Sequence, residues 1–134
     1  MPMTGRCQCG AVAYAVDGPP LDLYVCHCLE CRRQSASAFG ISVIVRAADF
    51  SLTRGSVQRW TRPTDRGGTL DCAFCAACGS RLFHAAPGGQ DISVKGGSLD
   101  APPDLGKAKH IWVSRKLPGV VIPPGAEQFP GEPE

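Results

Sequence analysis

Short apolar runs, cut at intervals by Gly, Pro and Asp, set the pattern of this chain. "AVAYAV" (11–16) alternates loosely and ends at "DGPP", a strong turn signal. "LDLYV" (21–25) runs straight into a cluster of cysteines, and "FGISVIV" (39–45), the strongest β-branched run, is predicted as a buried strand. "SVQRWT" (56–61) alternates and offers Val57 and Trp60 to a core. "SRLFHA" (80–85), "DISVKG" (91–96) and "KHIWVS" (109–114) complete a series of seven predicted strands. Helix is predicted only for the short "LECRRQS" (29–35). "RPTDRGG", "APGGQ" and "DAPPDLG" read as loops, and Phe39 and Phe74 as core residues. Residues 118–134, rich in Pro, Gly and Glu, form an extended tail in this reading. The expectation is a mainly β domain spanning 1–134, an antiparallel sheet with one short helix.

Composition sharpens this picture more than charge does. A chain of 134 residues fits one domain, and its 16 Gly and 12 Pro suit a turn-rich β protein. Net charge is +2, with basic residues scattered apart from the Arg32-Arg33 and Arg115-Lys116 doublets, so a nucleic-acid partner is not expected. No apolar stretch approaches the roughly 20 residues of a membrane-spanning helix, and "MPMTGRCQCG" has no signal-peptide core. The sequence therefore reads as a soluble, cytoplasmic protein with no membrane partner.

Eight cysteines change the picture most. Without an export signal, and with the cysteines in tight clusters, metal ligation is the better reading than disulfides. "CAACGS" (75–80) offers two thiolates followed by Gly79, and "CQCG" (7–10) a second pair followed by Gly10. Cys7, Cys9, Cys75 and Cys78 together make a closed four-thiolate zinc site, able to staple the N-terminal strand to the middle of the chain. That leaves Cys26, Cys28 and Cys31 in "CHCLECRRQS", and Cys72. Three thiolates and one free position are the pattern of a catalytic zinc site. Spacing leaves two other readings open: Cys72 closes the site, or the triplet holds no metal.

"GRCQCGAVAYAVDG", "CHCLECRRQS", "FCAACGS", "GSLD" and "HIWVS", in this order, resemble the glutathione-dependent formaldehyde-activating enzyme family, which includes the centromere protein V-like proteins. The resemblance runs from about Gly5 to Ser114 and implies an Mss4-like, mainly antiparallel β fold stapled by zinc. It implies a structural zinc on Cys7, Cys9, Cys75 and Cys78 and a second, catalytic zinc on Cys26, Cys28 and Cys31. The implied activity is that of a carbon–sulfur lyase, the reversible addition of glutathione to formaldehyde to give S-hydroxymethylglutathione. The partner implied is thus a small thiol–aldehyde adduct. Three positions depart from the family pattern: Cys72 stands where an arginine is expected, Ala36 replaces a usual glycine, and Gly119 a frequent tryptophan.

Chemistry at an open thiolate-bound zinc follows from the depressed pKa of a coordinated thiol, which makes it a nucleophile near neutral pH. Arg32 and Arg33 are candidates to grip substrate carboxylates through bidentate contacts. His110 and Trp112, two apart in a predicted strand, share a face and are candidates to line a pocket. His27, between two ligands, is expected to point away from the metal and play a structural role. His84 has no motif around it and Cys72 reads as a free, partly buried thiol. The competing class is a zinc-stapled binding module without catalysis.

Overall fold

The computed structural model describes residues 2–133. It is mainly β, with ten strands and one short helix. The strands are β1 (Met3–Arg6), β2 (Ala13–Val16), β3 (Asp22–Cys26), β4 (Gly40–Arg46), β5 (Phe50–Arg54), β6 (Gln58–Pro63), β7 (Thr69–Phe74), β8 (Arg81–Ala85), β9 (Asp91–Lys95) and β10 (Lys109–Ile111). The helix α1 spans Leu29–Ser35, the whole of the predicted fragment. A three-stranded sheet has the order β1-β2-β5 and a seven-stranded sheet the order β10-β3-β4-β9-β8-β7-β6. All pairings are antiparallel except β10 with β3, which is parallel.

Strand alternation divides the large sheet into two faces with different jobs. Leu23, Val43, Val94, Phe83 and Ala73 are opposed in register across β3, β4, β9, β8 and β7. This row faces the small sheet, and Val43, Val94, Phe83 and Ala73 join Val12, Tyr14 and Val16 in one core. Phe50 bridges the layers, its ring 5.3 Å from that of Tyr14 and 4.7 Å from that of Phe83. The opposite face carries Tyr24 and Cys26, Ser42 and Ile44, Ser93 and Lys95, His84, Leu70 and Cys72, then Trp60 and Arg62. Those polar and sulfur-bearing side chains look away from the core.

Seven strands match the predicted runs; β1, β5 and β7 were not foreseen. "MTGR", "FSLTR" and "TLDCAF" are short and mixed, and pairing with neighbours supplies what their patterns lack. Trp60 is a correction, being 51% exposed rather than core. It lies on the edge strand β6, on the face turned away from the small sheet, with the Arg81 guanidinium 5.5 Å from its ring centroid. Phe39 and Phe74 are half-buried and outside the core cluster. A register shift between Ala73 and Phe74 lets the adjacent Leu82 and Phe83 both bury.

The predicted strand 109–114 also ends early. Trp112 adopts φ 56°, so the chain leaves β10 after Ile111, and Trp112 does not share a face with His110. The tail returns alongside β10: the His110 amide donates to the Glu127 carbonyl (2.8 Å), and the Phe129 amide to the His110 carbonyl (2.8 Å).

Candidate functional site

Cysteine turns at the ends of two hairpins build the first cluster. Cys7 and Cys9 lie between β1 and β2, Cys75 and Cys78 between β7 and β8. In each turn a glycine at positive φ, Gly10 (82°) and Gly79 (81°), returns its amide to the carbonyl of the leading cysteine. The left-handed backbone there is the reason for glycine at both positions. The Gln8 amide, donating to Ser80 Oγ at 3.0 Å, ties one turn to the other. The four sulfur atoms lie within 4.8 Å of one another. Tetrahedral zinc with bonds of about 2.3 Å needs sulfurs about 3.8 Å apart. The Cys7–Cys9 and Cys9–Cys75 separations are 3.7 and 3.8 Å, so the set fits such an ion without rearrangement.

One continuous stretch builds the second cluster. Cys26 ends β3, Cys28 caps α1 and Cys31 lies in its first turn. The Cys28 sulfur accepts the Cys31 amide at 3.3 Å, so one side chain both starts the helix and turns towards the group. Gly40 lets the helix approach β4, since a methyl there would come within 3.1 Å of Cys31 Cβ. The three sulfurs again lie within 4.8 Å of one another. Contacts with Cys26 and Cys31 pull the Cys28 thiol well below its ordinary pKa, and the same contact with Cys28 pushes Cys26 up. Each group could hold a metal ion, and thiolate donors at these spacings suit zinc. Cys72 belongs to neither group; it is buried on β7, opposite Trp60 and His84.

Clefts open on the sheet face described above. A cavity of about 260 Å³ is walled by Cys26, Cys28 and Cys31 together with Tyr24, His84 and Lys95. An adjoining one of about 290 Å³ brings Arg33, Arg62, Arg81 and Lys95 together with Trp60 and Cys72. Trp112 lines a third, of about 500 Å³, with Cys28 and Arg62, its Nε1 donating to Glu132 at 2.7 Å. Arg33 therefore sits beside the cysteine triplet, whereas Arg32, with its Nε buried and unpartnered, lines none of these clefts. His110 is buried and lines none either. Its Nδ1 meets His27 Nε2 at 3.0 Å, the two rings stacked 5.3 Å apart, which gives His27 a structural setting. Burial pushes both imidazoles below their ordinary pKa.

Residues 2–115 match the family model for the glutathione-dependent formaldehyde-activating enzyme. The chain belongs to this family. A Rhodobacter sphaeroides protein of known crystal structure is similar to it at 27% identity, with a TM-score of 0.62 over 81% of this chain and 99% of that one. Against the family pattern, Ala36 caps α1 at φ 52°, a left-handed conformation that explains the usual glycine. No helix among the described residues is long and apolar enough to cross a membrane.

The charged and titratable cleft residues Arg62, Arg81, His84 and Lys95 escaped the sequence reading. A signal existed in "DISVKG", where burying Ile92 and Val94 forces Ser93 and Lys95 to the other face. What lay on that other face became visible only once β3 and α1 were placed beside it.

Proposed function

We propose that this protein is a zinc-dependent carbon–sulfur lyase that reversibly adds a thiol, such as glutathione, to formaldehyde or a related aldehyde at the three-cysteine group. The observation that carries the reading is the convergence of Cys26, Cys28 and Cys31 at the wall of a cleft, with Cys72 outside the group. Cys26, Cys28 and Cys31 would hold the ion and leave room for a substrate thiol beside it. The four-cysteine group, complete in itself, takes the structural zinc.

An ion held by three thiolates would supply a depressed pKa to a substrate thiol bound beside it. The protein's own residues do the rest. Cys28, held by the Cys31 amide, keeps the ligand set at the mouth of α1. Ile44, Leu70 and Ile111 give the cleft an apolar side that limits water. Arg33, Arg62 and Arg81 offer forked donors to carboxylates of a peptide-like thiol, with Trp112 and Trp60 at the rims. Residues 1–134 act as one catalytic domain, in a cytoplasm reducing enough to keep the thiolates free.

Metal analysis, sulfur coordination number by X-ray absorption and exchange NMR of glutathione with formaldehyde test the reading together. Two zinc equivalents are expected, one with four sulfurs and one with three sulfurs and a lighter atom, along with accelerated adduct formation. Cys72→Ala should retain both equivalents. Loss of one in that variant, or two four-sulfur sites without acceleration, would favour a zinc-stapled binding module.

A further inference from the structure

We propose that Lys95 is a catalytic residue of this reaction, its ammonium donating to the aldehyde oxygen as the thiol adds, and that His84 is the positioning residue that aims it. This inference rests on the thiol–aldehyde reading above. Lys95 stands on β9 on the cleft face, opposite Ser42, and lines the cavity that holds the three cysteines. It also lines the neighbouring arginine cleft and a larger groove of about 840 Å³, so that with Gln34 it sits where the three meet.

Lys95 Nζ lies 2.7 Å from His84 Nδ1. Burial, then the positive charges of Lys95, Arg62 and Arg81, push His84 down to about 3, so its ring is neutral and Nδ1 accepts. One of the three ammonium protons is thereby committed, which fixes the side chain and leaves the others for the cleft. No carboxylate pairs with Lys95: among the described residues the ion pair is Lys109 with Asp22. A cation partly withdrawn from water, held by a neutral ring and facing a cleft, is arranged to meet negative charge that develops there.

The addition has such a charge. The thiol gives up its proton to solvent on binding, and a sulfur electron pair then forms the C–S bond. The carbonyl π pair moves to oxygen, and the resulting alkoxide takes a proton from water, so no oxidant or reductant enters. Arg33 and Arg81, in the adjoining cleft, are placed for the distal carboxylates; Lys95 and Arg62 line the cysteine cavity itself, and of these two Lys95 is the one held by the His84 ring.

Lys95→Met in the intact, zinc-loaded protein tests the assignment, read by zinc content, thermal melting, glutathione affinity by calorimetry and kcat for adduct formation. Zinc content and melting should be unchanged and glutathione affinity kept within about threefold, while kcat falls by about 10²–10³, the usual loss for one oxyanion donor. His84→Leu should cost kcat about tenfold, and His84→Asn, whose Oδ1 still accepts near the position of Nδ1, should restore most of it. These two variants keep the test decisive if Lys95→Met folds poorly. A kcat for Lys95→Met within about threefold of the parent overturns the proposal. So does a loss of zinc or glutathione binding in step with kcat, which would make Lys95 a counter-charge for the sulfurs. A parent protein that neither binds glutathione nor speeds the reaction removes the thiol–aldehyde reading, and the role of Lys95 with it, by a separate result.

Discussion

Cys9 and Cys75 are 66 positions apart in the chain, yet their sulfurs lie 3.8 Å from each other; Cys26, Cys28 and Cys31 come from a single turn of chain. The first group joins a hairpin of the small sheet to a hairpin of the large one, so a metal ion bound there would hold tertiary structure together. The second sits at the end of β3 and the start of α1, a segment already fixed by the β3–β4 pairing and the helix cap. Ligand geometry is similar in the two, and the mechanical consequence differs. Closing a long loop removes much more freedom from the unfolded chain than ordering three neighbours does. The group that closes the loop is complete with four sulfurs, and the group that closes nothing has three and a cleft.

Breaking the stapling group should give the largest effect. Cys75→Ser is expected to lose one metal equivalent and at least about 3 kcal/mol of stability, read by metal analysis and thermal melting, since zinc contributes roughly 10–16 kcal/mol in small zinc-folded peptides. Melting unchanged from the parent would end the contrast between the two groups. Cys28→Ser should do the opposite. Serine still caps α1 through its oxygen, so the loss of stability should stay near 1 kcal/mol, while one metal equivalent and at least about 10³ in turnover disappear. Unfolding comparable with that of Cys75→Ser would make the triplet a structural site.

Smaller changes sharpen the comparison around α1 and β3. Ala36→Gly should raise stability by roughly 0.5–1 kcal/mol without altering metal content, because the φ of 52° strains an L-residue. Asp22, at the far end of β3 from Cys26, should matter least. Its carboxyl is opposed by burial, which raises its pKa, but the Tyr24 hydroxyl, the Lys109 ammonium and the Leu23 amide together hold it below its ordinary value. A depressed carboxyl stabilises the fold above its unfolded pKa of about 3.9, and that stability is lost as pH falls through the folded value. Asp22→Asn should therefore cost no more than about 1 kcal/mol at neutral pH, with the difference from the parent vanishing in acid melts.

Local pattern was enough for much of this protein. The helix at 29–35, seven of the strands, the two cysteine pairs and the cysteine triplet were legible because each depends on neighbours in sequence: a turn, a spacing, a run of β-branched residues. The strands β1, β5 and β7 were not legible, since "MTGR", "FSLTR" and "TLDCAF" become strands through partners elsewhere in the chain. Trp60 failed for a related reason. An alternating pattern says that its two faces differ but not which face meets the core, and β6 ended at a sheet edge with Trp60 turned to the cleft.

The cysteine spacings alone determined the pairs Cys7–Cys9 and Cys75–Cys78 and the triplet Cys26, Cys28 and Cys31, because ligands two or three residues apart in a turn point together. That the two pairs meet, and that Cys72 stays outside, was decided by the fold. Tertiary structure decided what surrounds them. Lys95 and His84 lie on β9 and β8, and Arg62 and Cys72 on β6 and β7, four strands that reach the triplet only through the order β3-β4-β9-β8-β7-β6. Strand order is set by contacts between distant segments, whose free energy depends on which faces bury together. No local feature of "SRLFHA" or "DISVKG" records that a histidine and a lysine will meet 2.7 Å apart beside the cysteines.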